Sequence, residues 1–186
     1  NIGNLEFLSC IPGSIGGAVC MNSGCYDSDI SKILKSIIVL DKNGNEKEIK
    51  NDEIKFVYRD SNLSKDNIII SAVLQGKVTP KDLIQQKQNK LIEMKKNAQP
   101  SQIKTCGSTF KNPKNIKAWQ LIKKAGCENL FVGDAIISKK HCNFFVNQGN
   151  AKASDIEQLI QKVKLEVKDK TGVELDLEIK IIGNEK

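Results

Sequence analysis

The 186-residue chain carries 29 Lys and Arg against 22 Asp and Glu, a formal net charge of +7, with 39% hydrophobic and 27% charged residues; that is enough apolar material for a packed core and argues against a disordered chain. Only 5% of residues are aromatic and the lysines are scattered, so the positive charge lacks the stacking platforms of a nucleic-acid surface, and no nucleic-acid partner is expected. No apolar run approaches the length that crosses a bilayer, and no basic region leads into an apolar stretch at the start; the reading is a cytoplasmic protein with no membrane partner.

In chain order, the first residues, "NIGNLEFLSCIPG", begin on Asn1 in the middle of what reads as a structural phrase, as in a piece of a longer protein. The stretch "IPGSIGGAVCMNSGCY" then packs Gly13, Gly16, Gly17 and Gly24 close together. Bare backbone of this kind, taken as a turn after a strand, offers N–H groups to a phosphate or to the polar edge of a flat ring. It equally suits a tight turn packed against a neighbour. The spacing matches neither GxGxxG nor GxxxxGK[ST], so both readings stay open.

"SIIVLDKNGNEKEI" predicts a hairpin over 36–49 turning at Asn43-Gly44, and "NIIISAVLQGKV" from Asn67 predicts a further strand. Pro80 opens a helix to about Asn97, with Leu83, Leu91 and Met94 spaced for a narrow buried stripe, the pattern of a connector. Beyond Pro100, Ala118, Leu121, Ile122 and Ala125 mark a helix face that Gly126 ends. Short strands follow around "LFVGDAIIS" and "HCNFFVN". Ser154 and Glu157 read as a capping box for a helix carrying Ile156, Leu159, Ile160, Val163 and Val167 and closing at Gly172. The last stretch, "GVELDLEIKIIG", alternates apolar and polar residues as a half-buried strand does.

Cys10, Cys20, Cys25, Cys106, Cys127 and Cys142 include no pair at the spacing of a zinc knuckle or a redox motif, so the thiols read as reduced, mostly buried, small apolar residues and no metal is expected. A nucleophilic Cys142 beside His141 is the sharper alternative, but neighbours on an extended strand face opposite ways. Of the 29 basic residues, Arg59 alone is not Lys. A guanidinium is kept over an ammonium where a planar fork must hold a carboxylate or phosphate.

Taken together, "FLSCIPGSIGGAVCMNSGCY", "FVYRDS", "CGSTFKNP", "AWQLIKKAGC", "GDAIISKKHCNFFVN" and "GVELDLEIKIIG" resemble, in that order and spacing, the UDP-N-acetylenolpyruvylglucosamine reductase (UDP-N-acetylmuramate dehydrogenase, MurB) family over nearly the whole chain. The resemblance implies an α+β fold: the second part of a flavin-binding domain over 1–78, its N-terminal FAD domain lying before Asn1; a connector helix over 79–97; an inserted substrate-binding α+β domain over 98–171; and a strand over 172–186 that returns to the flavin domain. It implies a monomeric oxidoreductase that uses NADPH to reduce FAD and then reduces the enolpyruvyl group of a UDP-sugar to give UDP-N-acetylmuramate for peptidoglycan.

By the same resemblance Pro12, Gly13, Ser14, Gly16, Gly17 and Asn22 lie against FAD, Ser108 is the proton donor, and Arg59 and Glu178 bind and polarise the substrate carboxylate. Lys111, Asn112, His141 and Lys180 follow as substrate contacts. Lys180 stands where the family usually has Arg, and no extra loop for a tyrosine-bearing lid lies between Ser71 and Pro80, which implies the variant without the lid. Another FAD-linked oxidoreductase of related architecture is an alternative, though it would lack "GSTFKNP" and "LEIKIIG". A non-catalytic binding module is another, separated from the first reading by a test for flavin-dependent NADPH oxidation.

Overall fold

A computed structural model describes residues 1–183 and divides the chain into two compact units, Asn1–Lys95 and Lys96–Lys186. Helices and antiparallel strands are both present and largely segregated along each unit, an α+β fold as expected. None of the helices among the described residues is long and apolar enough to cross a membrane.

The first unit is built on a three-stranded antiparallel sheet, β5–β4–β8. In chain order its elements are β1 (Ile2–Gly3), α1 (Ile15–Cys20), β2 (Gly24–Cys25), β3 (Ser28–Asp29), β4 (Leu34–Leu40), β5 (Glu46–Lys50), β6 (Phe56–Val57), β7 (Asp60–Ser61), β8 (Ile68–Leu74), β9 (Lys77–Val78) and α2 (Lys81–Ala98). β4 and β5 are the predicted hairpin. Its loop closes on Asp41, whose Oδ1 accepts the N–H groups of Asn43 (2.8 Å) and Asn45 (2.9 Å), while Gly44 takes φ +84°. Ile37 and Val39 of β4 face a core with Phe7, Val19, Ile30 and Ile54, against which Ile69 and Leu74 of β8 pack.

Two details differ from expectation. The glycine-rich stretch follows a 3-10 helix (Glu6–Cys10) and itself forms the short helix α1, so it is not a turn after a strand. Ser14 makes this possible, because its Oγ accepts the Gly17 N–H at 3.1 Å and caps the first turn. In α2 the partly covered stripe is Ile84, Gln88, Leu91 and Lys95. Leu83 and Met94 stand one residue ahead of that stripe or three behind its next member and are exposed, so only Leu91 of the expected trio packs on the core. Lys87 secures the helix by pairing with the buried Glu6 carboxylate at 3.1 Å.

The second unit holds a four-stranded antiparallel sheet ordered β10–β13–β12–β11, from β10 (Lys104–Ser108), β11 (Phe131–Val132), β12 (Ala135–Ile137) and β13 (Phe144–Asn147). Two helices share its core: α3 (Ala118–Lys124) through Leu121 and Ile122, and α4 (Ala153–Thr171) through Leu159, Ile160, Val163 and Val167. Gly126 and Gly172, both at φ +71°, end the two helices where the sequence predicts. The start of α4 is a correction. Asp155, not the Ser154–Glu157 pair, satisfies the cap, its Oδ2 accepting the Lys152 N–H at 2.8 Å.

The closing segment is a second correction. Where a regular strand was expected over 172–186, residues 172–183 make one bridge, Phe110 to Leu177, and then bend, and 184–186 lie outside the described residues. Leu175 is fully buried in the second unit's core, with Val173, Leu177 and Ile179 packed against it. The alternation holds as a one-sided burial pattern from Val173 to Ile179, while Ile181, expected on the same face, is exposed; two hydrogen bonds flank the bridge in place of a ladder.

Candidate active site

α1 and its approach give the first unit an open cradle. A cavity of about 350 Å³ is lined by Pro12, Gly13, Ser14, Gly17, Met21 and Ser23 among others. Gly13 stands at φ +127°, which an L side chain rarely adopts, and has open space where a Cβ would be. Gly17 is explained by nothing in the chain: its φ is helical and an added Cβ would meet only Ser14 Oγ at 3.3 Å. A helical glycine costs roughly 1 kcal/mol against alanine. A bare, exposed backbone kept at that cost beside a cavity suits close approach by a flat, polar-edged group, so these residues fit a flavin.

The other two residues expected at the cofactor are placed differently. A Cβ on Gly16 would point to Ile69 at an ordinary 3.5 Å. Asn22 is buried, its Nδ2 donating to Val57 O (3.1 Å) and its Oδ1 accepting from Ser31 N (3.0 Å). Its side chain ties the end of α1 to β6.

β6 leads to Arg59. Phe56 pairs with Ser61 and Val57 with Asp60, leaving Tyr58 and Arg59 as a two-residue turn in which Arg59 takes φ +57°. That position is made for Gly or Asn, and an L side chain there costs about 1–2 kcal/mol. The guanidinium donates through Nη2 to Gly24 O at 3.0 Å and lies 4.9 Å from the Tyr58 ring centroid. Nearby, burial and then the Cys10 thiol push the Cys25 thiol up to about 11, which keeps it protonated and inert at neutral pH.

In the second unit a bulge does the positioning. Between Thr105 and Ser108 the β10–β13 register shifts, Gly107 takes φ +88°, and Ser108 emerges half-buried opposite Phe144. The next residues are pinned from both sides. Thr109 N donates to Asn143 O (2.8 Å), Phe110 N to Asn143 Oδ1 (3.0 Å), and Asn143 Nδ2 to Phe110 O (2.8 Å). On the other flank Lys111 N donates to Asp176 O (2.8 Å) and Glu178 N to Thr109 O (2.9 Å). Phe110 fills the core beneath, edge-on to Phe145 at 5.9 Å.

These backbone bonds set the segment holding Ser108, Lys111 and Asn112 beside the segment holding Glu178, with the fully buried Phe110 between Ser108 and Lys111 in the chain, and Arg59 belongs to the other unit. Asn112 has a structural task as well, its Oδ1 accepting the Ala118 N–H at 3.0 Å to start α3. Lys180 is exposed beyond the bridge, past the bend, so strand alternation does not fix it beside Glu178.

His141 lines a separate cavity of about 630 Å³ with Trp119, Lys123, Glu128, Lys139 and Lys140. It precedes β13 and is not on a strand, and the Cys142 thiol donates to Trp119 O at 3.1 Å. Its Nδ1 accepts the Asn143 N–H at 3.3 Å, and burial lowers its pKa from the usual 6.5. The neutral ring thus carries its proton on Nε2. Sequence reasoning missed Asn143 and Trp119. Nothing in "HCNFF" flags a buried amide, but a tryptophan outside the Ala118, Leu121, Ile122 and Ala125 stripe was a visible signal.

Residues 99–182 match the family model described as "UDP-N-acetylenolpyruvoylglucosamine reductase, C-terminal domain". Curated proteins named UDP-N-acetylenolpyruvoylglucosamine reductase match nearly the whole chain. That of Wolbachia sp. subsp. Drosophila simulans (strain wRi) is 46% identical over 184 residues, covering 98% of this chain and 62% of the relative. That of Pelagibacter ubique (strain HTCC1062) is 46% identical over 187 residues, covering 97% and 61%. Over residues 99–182 the chain carries the C-terminal domain of this family, and over nearly its whole length it is similar to the family's members. The crystal structure of the Thermus caldophilus family member, MurB, superposes with a TM-score of 0.85 at 34% identity, covering 96% of this chain and 64% of that one. The chain thus spans about 62% of the length of the curated family members it matches. Among the described residues no group of three or more His, Cys, Asp and Glu is placed to hold a metal ion.

Proposed function

We propose that this chain is part of an FAD-dependent reductase that uses NADPH to convert UDP-N-acetylglucosamine enolpyruvate to UDP-N-acetylmuramate in peptidoglycan precursor synthesis, as a monomer in the cytoplasm. The observation that carries the reading is the Phe110–Leu177 bridge with its Glu178 N–H to Thr109 O bond, which runs the segments bearing the half-buried Ser108 and Glu178 side by side. Similarity over 98% of the chain to proteins of that name supports it.

Pro12, Gly13, Ser14 and Gly17 would hold the flavin through backbone and small side chains. Bound flavin supplies the hydride that the enolpyruvyl double bond accepts. The chain's own residues manage the charge that results. Arg59 binds the substrate carboxylate with its fork, and the strained turn beneath it fixes the direction of that fork. Glu178 helps polarise the same carboxylate as a hydrogen-bond donor, in its acid form or through a water that it holds. Ser108 Oγ–H gives its proton to the enolate carbon, a base strong enough to take it, and the serine is reprotonated from water. Lys111, Asn112, His141 and Lys180 act as substrate contacts.

The test separates the two half-reactions in the full-length enzyme by anaerobic stopped-flow. Ser108→Ala should leave flavin reduction by NADPH nearly unchanged and slow oxidation of the reduced flavin by substrate by roughly 10²- to 10⁴-fold. Equal slowing of both would make Ser108 a residue that holds the loop, and no slowing of either would mean the proton comes from elsewhere.

A further inference from the structure

The cavity beside α3 has a feature that proton transfer and carboxylate binding do not use. Trp119 is the chain's single tryptophan and is 39% exposed. It lies outside the buried Ala118, Leu121, Ile122 and Ala125 stripe of α3 and four residues before Lys123, which therefore neighbours it on the helix surface. The His141 ring meets the indole edge-on, centroids 6.5 Å apart, and is itself braced by Phe144 at 4.9 Å. The Cys142 thiol holds the Trp119 carbonyl. The indole thus lines, on a helix and not a loop, a space of about 630 Å³ that is also lined by Lys139, Lys140 and Lys123, the last paired with Glu128 at 3.8 Å.

We propose that Trp119 determines specificity for the nucleotide end of the substrate: its indole face is the platform on which the uracil ring stacks, and His141 Nε2–H donates to a base carbonyl. The inference rests on the UDP-sugar reading given above. A flat apolar ring with an in-plane donor beside it matches a flat heterocycle with carbonyl edges, and the lysines on the rim suit a diphosphate. A space of this size falls in the range of ordinary ligand pockets. Base-on-aromatic stacking of this kind carries enough affinity to distinguish a nucleotide from a sugar phosphate.

Because Trp119 is the only tryptophan, the chain's indole emission reports on this residue alone. UDP and UMP titrated into the 186-residue chain should quench or shift that emission saturably, while inorganic pyrophosphate and N-acetylglucosamine leave it unchanged. By calorimetry, Trp119→Ala should bind UDP roughly 5- to 150-fold more weakly and Trp119→Phe within about 5-fold of the parent. In the full-length enzyme, Trp119→Ala should raise KM for the UDP-sugar by more than it lowers kcat. Quenching by pyrophosphate equal to that by UDP would overturn the proposal in favour of a cation patch, and quenching by N-acetylglucosamine in favour of a sugar platform. An unresponsive emission would overturn it outright, whether or not Trp119→Ala folds. If UDP quenches but the full-length enzyme reduces no enolpyruvyl sugar, the functional reading fails and this one stands.

Discussion

Arg59 pays conformational strain to be where it is. The Tyr58-Arg59 turn demands φ +57° at its second residue, and glycine would sit there about 1–2 kcal/mol more comfortably. The guanidinium's bond to Gly24 O returns a similar amount. Arg59→Gly should therefore change the chain's stability by less than about 1 kcal/mol, read as a melting temperature within a few degrees of the parent. In the full-length enzyme the same change should cut turnover of the enolpyruvyl substrate by about 10²-fold or more, because a preorganised charge partner is lost. Arg59→Lys should do much the same, since one ammonium cannot make two parallel bonds. A variant that melts far lower while keeping its turnover would recast Arg59 as a purely structural residue.

The 107–112 segment owes its rigidity to a borrowed element, the side chain of Asn143, which bonds both the N–H and the C=O of Phe110 at 3.0 and 2.8 Å. Asn143→Ala would leave both backbone groups buried and unpaired, at about 1–3 kcal/mol each, so a thermal melt should show a loss of roughly 2–5 kcal/mol while His141→Ala costs much less. If Asn143→Ala melts like the parent, water has taken its place and the segment is held by the Asp176–Glu178 flank alone. This support was illegible in the sequence because a buried amide that bonds backbone has no periodicity. By contrast α3 was legible to the residue, since Ala118, Leu121, Ile122, Ala125 and Gly126 write a helical face and its stop in order. The β4–β5 hairpin was legible for the same reason, its period and its turn residues agreeing. The closing segment misled because alternation specifies which residues are buried and not which backbone they pair with. One bridge at Leu177 was enough to bury Leu175, and no strand had to form. The candidate site was legible only through the ordered motifs. Ser108 and Glu178 are ordinary residue types far apart in the chain, and nothing in their local sequence shows that the bridge runs their segments side by side.

At the scale of the whole molecule, each unit has its own core, and the residues assigned to catalysis are divided between them, Arg59 in one and Ser108 and Glu178 in the other. The cavity proposed for the flavin is a space of about 350 Å³ lined by α1 and the residues leading into it, in a chain that covers 62% of the length of its relatives. Ordering a large, flexible dinucleotide costs several kcal/mol, which contacts along one wall do not offset. The 186 residues purified by themselves should therefore show no stoichiometric flavin band in the visible spectrum, and FAD added in excess should wash out on gel filtration. The full-length protein should retain it. Gly17→Val then gives the discriminating comparison, since among the described residues a Cβ added there meets only Ser14 Oγ, at 3.3 Å. It should leave the melting of the 186-residue chain within about 1 kcal/mol of the parent, the cost of a β-branched residue in a helix being close to that of glycine. In the full-length protein it should strip flavin. A stoichiometric flavin band from the short chain, or a Gly17→Val variant that keeps its flavin at full length, would mean that the cofactor is held elsewhere and that the glycines of α1 serve another purpose.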